Sequence, residues 1–138
     1  MSDESAIWDA LAALLEAGEL SGVVFDFGNV PGESGVKGSL PDFYALLSIE
    51  RRFVQPNKPT GTGRTGWRAT VRYVARTEAA NARMMGRWVR DAFESTPGHG
   101  KRITADGATS TPLTHETTQA VDHDEGRFSG SVTYTFGF

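Results

Sequence analysis

The hydrophobic and polar positions from Arg64 to Ser95 (RTGWRATVRYVARTEAANARMMGRWVRDAFES) change period once. Trp67, Ala69, Val71, Tyr73 and Ala75 alternate with Arg68, Thr70, Arg72, Val74 and Arg76. That period of two predicts a strand with one apolar and one mostly cationic face. Past Thr77 the apolar residues Ala82, Met85, Val89, Ala92 and Phe93 recur at three- and four-residue steps, which predicts an amphipathic helix. Thr77 is placed to cap it, and Glu78 to complement the dipole of its first turn. Arg83, Arg87 and Arg90 fall on another side of that helix. A strand and a helix joined this tightly must fold back on each other.

The same reading extends to both ends of the chain. Asp3 to Ala17 predicts a first helix, capped by Ser2 or Asp3, with Ile7, Trp8, Leu11, Leu14 and Leu15 as its apolar stripe and Gly18 as its stop. Val23 to Val30 (VVFDFGNV) predicts a short strand, and PGESGVKGSLP a loop. Phe43 to Val54 predicts a second strand. Residues Gln55 to Thr65 (QPNKPTGTGRT) combine prolines, glycines and threonines without an apolar anchor, so they read as a flexible arm between strands. Asn57, Lys58, Thr60, Thr62 and Arg64 are its candidate contact residues, because the arm is longer than hairpin connections usually are. After the second helix, TPGHG breaks the chain. Lys101–Thr104 and Ala108–Thr111 predict a small hairpin around Asp106-Gly107. Leu113 to Val121 predicts a Thr-rich strand, DHDEG a turn, and Arg127 to Phe138 a closing strand with Phe128, Gly130, Val132, Tyr134, Phe136 and Phe138 on one face. The expected fold is α+β: a mostly antiparallel sheet with two helices packed on its apolar face, in one domain over residues 1–138.

Charge adds a division that the hydrophobic pattern does not show. The net charge of the 138 residues is −3, but Arg51 to Arg102 carries 12 basic and 3 acidic residues, and the rest carries 2 basic and 14 acidic. The middle is therefore +9 and the flanks −12. A basic middle can meet nucleic acid, or the acidic flank of another copy. On the sheet face opposite the helices, Glu50, Arg52, Arg68, Arg72, Arg76 and Thr133 are the candidate contact residues, with Thr70, Ser129 and Thr135 beside them. On the second helix they are Arg83, Arg87 and Arg90.

Candidate chemistry is sparse. With no cysteine, disulfides, zinc-thiolate sites and thiol catalysis are excluded. His99, His115 and His123 stand in unrelated contexts and match no metal-ligand spacing. GTGR at Gly61 to Arg64 lacks the Lys-Ser/Thr pair of a phosphate loop, and a strand follows it rather than a helix. No catalytic pair stands out on one element, so the expectation is a protein without enzymatic activity or cofactor. No apolar run approaches the length of a membrane span, and the acidic N-terminus has no signal-peptide form.

Several strings carry a resemblance: the WDALAALLEA helix, the GNVP turn, VRYVARTEAANARMMGRWVRDAF, ATSTPLTHETT and DEGRFSGSVTYTF. In their order they resemble the tail terminator, or tail completion, proteins of long-tailed (siphovirus-type) bacteriophages that infect actinobacteria. The resemblance covers almost the whole chain. It implies a structural virion protein, made in the host cytoplasm, that forms a ring of about six copies. Such a ring caps the tail tube, ends its polymerisation and joins the tail to the head-side connector, with DNA passing through without sequence recognition. Its implied partners are further copies of itself, the tail tube protein and the connector. The polar sheet face is then the lining of the lumen or a seam between subunits. A head-closure or adaptor ring of the neck is the neighbouring alternative. A small ligand-binding domain or enzyme, and a nucleic-acid binder, are readings from other classes.

Overall fold

In the computed structural model, residues 3–33, 35–52 and 66–138 are described. The contact arm, with Asn57, Lys58, Thr60, Thr62 and Arg64, lies outside them, as does Ser2. The element order is α1 (Glu4–Glu16), β1 (Val24–Phe25), β2 (Phe43–Arg51), β3 (Gly66–Ala75), α2 (Ala79–Phe93), β4 (Glu94–Thr96), β5 (His99–Gly100), β6 (Thr104–Ala105), β7 (Ala108–Thr109), β8 (Thr114–Asp124) and β9 (Arg127–Gly137). Five strands form the main sheet in the order β1-β2-β3-β9-β8, and β4-β5 and β6-β7 are separate hairpins. This is an α+β fold with a mostly antiparallel sheet and both helices on one face.

The alternation in β3 places Trp67, Ala69, Val71, Tyr73 and Ala75 in the core. There they meet Ile7, Leu11 and Leu15 of α1, Ala82, Met85, Val89 and Phe93 of α2, and Val132, Tyr134 and Phe136 of β9. Fully burying a large apolar side chain contributes about 1.5–3 kcal/mol, so this layer dominates the stability of the fold. The Trp8 indole N–H donates to the Leu47 carbonyl at 2.8 Å, which ties α1 to β2. Tyr73 fits a slot between two glycines: a Cβ on Gly86 would stand 2.8 Å from its hydroxyl, and one on Gly130 2.7 Å from its ring.

Four local expectations change. The strand expected over Val23 to Val30 ends at Phe25. Asp26 accepts the Phe27 N–H on its side chain (2.8 Å) and the Asn29 N–H on its carbonyl (3.2 Å), so a turn replaces the ladder. The short β1 pairs parallel to β2 rather than antiparallel. The intervening loop is long enough for the crossover that parallel pairing needs, and it folds over the polar face, where Val30 packs on Tyr44 and Val74. Val74 is thereby buried on the face read as cationic. Helix α2 starts one residue late: Glu78 is its N-cap, without a side-chain cap bond. The Thr77 hydroxyl instead accepts from the Asn81 amide at 3.1 Å. Asp3 is the N-cap of α1, also without a side-chain cap bond, and its N–H donates to Asp106 at 2.7 Å.

The turns follow their residue chemistry. Asp106 and Gly107 both have positive φ, as do Glu125 and Gly126, the pattern of two-residue type I′ hairpin loops. The second pair shortens the expected DHDEG turn, so Asp122, His123 and Asp124 belong to β8. TPGHG is itself a hairpin turn between β4 and β5.

Candidate assembly surfaces

The polar sheet face is built by cross-strand register. Glu50 pairs with Arg68 and Arg68 with Thr135; Thr70 pairs with Thr133, and Arg72 with Ser131. Strand β8 follows with two bulges, one at Glu116 and one between Gln119 and Asp122. Each bulge inserts a residue and shifts the parity by one, so Thr117 and Gln119, and then Asp122, stand opposite polar partners.

Arg68 lies at the centre. Its guanidinium donates from Nε and Nη2 to both carboxylate oxygens of Glu116, and from Nη1 to Glu50, each at 2.9 Å. Hydrogen bonds from Arg68 hold the Glu116 carboxyl below the usual range, and those to Glu116 and then Glu50 raise the Arg68 pKa further. Glu116, two residues after Thr114 on the same polar face, reaches the site across β9. Beside it, the Thr70 and Thr133 hydroxyls pair at 3.1 Å and Ser131 contacts Gln119 at 3.2 Å. Arg72 reaches Ser129 at 3.4 Å. Arg76 stands at the strand end, donating to the Leu40 carbonyl at 3.1 Å, with Asp42 at 4.0 Å. Arg52 follows the end of β2, where its N–H donates to the Gly66 carbonyl at 2.8 Å. Of the six candidate residues, the fold thus joins Glu50 to Arg68 directly. It sets Arg72 and Thr133 on the same face and carries Arg52 and Arg76 to its margins. At the loop-covered end, Arg127 binds Glu33 at 2.8 Å and the Tyr44 hydroxyl at 3.3 Å.

On α2, Arg83 and Arg87 are exposed, and no ion pair forms on either among the described residues. Arg90 reaches Glu94 at 3.5 Å. Glu94 is buried and accepts from the Tyr134 hydroxyl and from the Gly98 N–H at 2.9 Å. Burial pushes the Glu94 carboxyl up, but the bonds from Tyr134 and Gly98 and the charge of Arg90 outweigh it and hold the group below the usual range. Burial, and then the bond to Glu94, pushes the Tyr134 phenol up. Between α2 and β8 runs a groove of about 590 Å³, with Tyr73, Gly86 and Val132 in its lining and Arg83, Arg87 and Arg90 on the α2 side.

No protein-family model matches the chain, and no curated protein matches it. Solved structures do match. The chain shares its fold with a chain of a virion. That structure is described as the virion of a native gene transfer agent particle; the TM-score is 0.71 at 15% identity, over 96% of this chain and 94% of that one. A second solved chain aligns at a TM-score of 0.56 and 11% identity, over 96% of this chain and 90% of its own length. At these identities the likeness is one of fold, and it takes in nearly every element of both chains.

Sequence reasoning placed the arginines and Glu50 on this face but missed Glu116, Glu33 and Glu94. Glu116 sits on β8, which only the folded strand order brings within reach of Arg68, and Glu33 in a loop. Glu94 carried a signal, since it lies four residues after Arg90, just past the end of α2. Among the described residues, no group of three or more His, Asp or Glu is placed to hold a metal ion, and no helix is long and apolar enough to cross a membrane.

Proposed function

We propose that this protein is a structural virion component, a tail terminator that closes into a ring of about six copies on the end of the tail tube. The ring ends tube polymerisation and meets the head-side connector. The likeness over nearly the full length to a chain of a gene transfer agent virion carries this reading, and the tail-terminator strings in the sequence narrow it. The role is structural and needs no catalytic group. The charge division supports a ring, because a head-to-tail contact joins two different patches of one surface.

In this reading the face around Glu50, Arg68, Arg72 and Thr133 lines the lumen. Pairing of Arg68 with Glu50 and Glu116 reduces its positive field, which suits a wall that DNA must slide past. Omitting the protein from particle assembly tests the role. Overlong tails without heads are expected. Tails of normal length that fail to join heads would move the protein to the head-closure ring of the neck. Normal infectious particles would overturn a structural role at the joint.

A further inference from the structure

The two edges of the main sheet differ in shape and charge. At the β8 edge lies the groove of about 590 Å³, with Tyr73, Val121 and Val132 among its apolar lining and Arg83, Arg87 and Arg90 along α2. At the β1 edge, the turn that ends the strand projects Phe27, which is 68% exposed. Among the described residues the one other exposed large hydrophobic is Met84 of α2, at 43%. Phe27 borders a second concavity, of about 750 Å³, whose lining includes the carboxylates Asp3, Glu4, Asp9 and Asp26.

On the side of Phe27 that faces Asp3, Glu4, Asp9 and Asp26, away from Arg72 and Arg127, the surface is the complement of the Arg83–Arg87 side of the groove, whose other end holds Asp91 and Glu94. The two features are carried by the edge strands β1 and β8 of one sheet, and Phe27 meets the β8 residues Gln119 and Ala120 only across the open cavity of the polar face. We infer that Phe27 of one copy enters the α2–β8 groove of the next, with its carboxylates facing Arg83 and Arg87. This inference rests on the ring reading above and names the contact that would build the ring.

The arrangement explains several details together. Arg83 and Arg87 stand four residues apart on one helix, where like charges repel, and neither has an ion pair within its own chain among the described residues. The Asp26 turn that cuts β1 short also presents Phe27, since its side chain holds the Phe27 N–H at 2.8 Å. The Gly86–Tyr73 contact leaves the groove floor low, because any side chain at Gly86 would meet the tyrosine ring. A contact between different patches at opposite ends of one subunit repeats in one direction, and it closes into a ring when the rotation per copy divides a full turn. Charge matching fixes which edges meet and in what register, while the buried aromatic supplies the anchor.

The chain contains no cysteine, so introduced thiols report on single positions. The test uses Phe27→Cys, Arg87→Cys and the double variant, treated with a short bifunctional thiol reagent and resolved by denaturing electrophoresis. Folding of each variant is checked by thermal denaturation. The double variant is expected to give a ladder of multimers ending at the ring copy number, and each single variant to stay uncross-linked. Without cross-linker, Phe27→Ser and the pair Arg83→Glu with Arg87→Glu should each weaken self-association about tenfold or more. Dimers from either single variant would mean a two-fold contact and overturn the proposal. A double variant without a ladder, while the unmodified chain sediments as a multimer, would remove this contact and leave the ring reading standing. An unmodified chain that stays monomeric, both alone and on tail tubes of the same particle, would remove both.

Discussion

The arginines of β3 and those of α2 belong to the same basic stretch of sequence, yet their surroundings are opposite. Arg68 lies on a sheet face where other strands bring carboxylates to it: Glu50 by direct cross-strand register and Glu116 from β8, across β9. Arg83 and Arg87 stand on a helix, whose side-chain neighbours three and four residues away are set by its own local sequence. That sequence offers Asp91 four residues after Arg87, but no ion pair forms there. A sheet thus neutralises charge with residues distant in the chain, whereas a helix leaves it for whatever approaches from outside. The comparison separates charge spent on the fold from charge held for a partner.

Arg90 is the case between them, and it yields the largest expected effect. It sits in line with Arg83 and Arg87 but pairs with Glu94, which also accepts from Tyr134 and Gly98. Glu94→Leu would leave the buried Tyr134 hydroxyl and the Gly98 N–H without an acceptor. The expected loss is about 1–3 kcal/mol, read from urea unfolding. Tyr134→Phe in the Glu94→Leu background should then cost little more, because the shared interaction is already gone. A loss no larger than that of an exposed Glu on α1 would show that Arg90 belongs with its unpaired helix neighbours.

Acid should act next, through the paired carboxylates. Glu94 and Glu116 both titrate below the ordinary value of 4.5 in the folded chain. A carboxylate with a depressed folded pKa contributes stability that is present above its unfolded pKa and lost as the pH falls through the folded one. Unfolding midpoints should therefore be flat above pH 4.5 with respect to these groups and fall below it. Glu94→Gln combined with Glu116→Gln should flatten that fall. An unchanged acid slope in the double variant would detach the two groups from the stability of the fold.

Much of this layout can be read from residue order, and the exceptions have local causes. The β3–α2 unit, the core stripes of both helices, the Asp106-Gly107 hairpin and the apolar side of β9 all follow from periodicity, because each is specified by neighbours two to four residues away. The early end of β1 turns on a single Asp26 side chain that competes for backbone N–H groups. The parallel pairing of β1 depends on the path of a loop, which hydrophobic period does not encode. Glu116 comes to Arg68 only through the strand order β3-β9-β8, which alternation does not encode, so the cationic face looked more basic in sequence than it is in space. The groove and Phe27 arise only when the two edges of a folded sheet can be compared. The arm from Gln55 to Thr65 remains a proposed contact element.

Charge on the sheet face allows the comparison to be reversed. Glu50→Gln with Glu116→Gln would strip Arg68 of its partners and make that face resemble α2. Weak DNA binding that falls steeply with added salt is expected to appear, since each phosphate contact releases counterions. The unmodified chain should show much less. Equal DNA binding by both would mean that Arg68 is available despite its carboxylates, and the two regions would no longer differ in kind.

The smallest effect is the sharpest, because stability and association should move in opposite directions. Arg83→Glu replaces a like-charge pair on α2 with a carboxylate followed four residues later by Arg87, the favourable order for such a pair. It should stabilise the isolated chain by about 0.2–0.5 kcal/mol. The same change puts a carboxylate where the neighbouring copy's acidic edge is proposed to dock, so self-association should weaken. Chemical unfolding at low protein concentration reads the first effect, and sedimentation at high concentration reads the second. High salt should shrink both, since the Debye length falls to about 3 Å at 1 M. If the variant gained stability and associated as well as the unmodified chain, Arg83 would be a solvated helix charge, and the distinction between the two sets of arginines would rest on Arg87 alone.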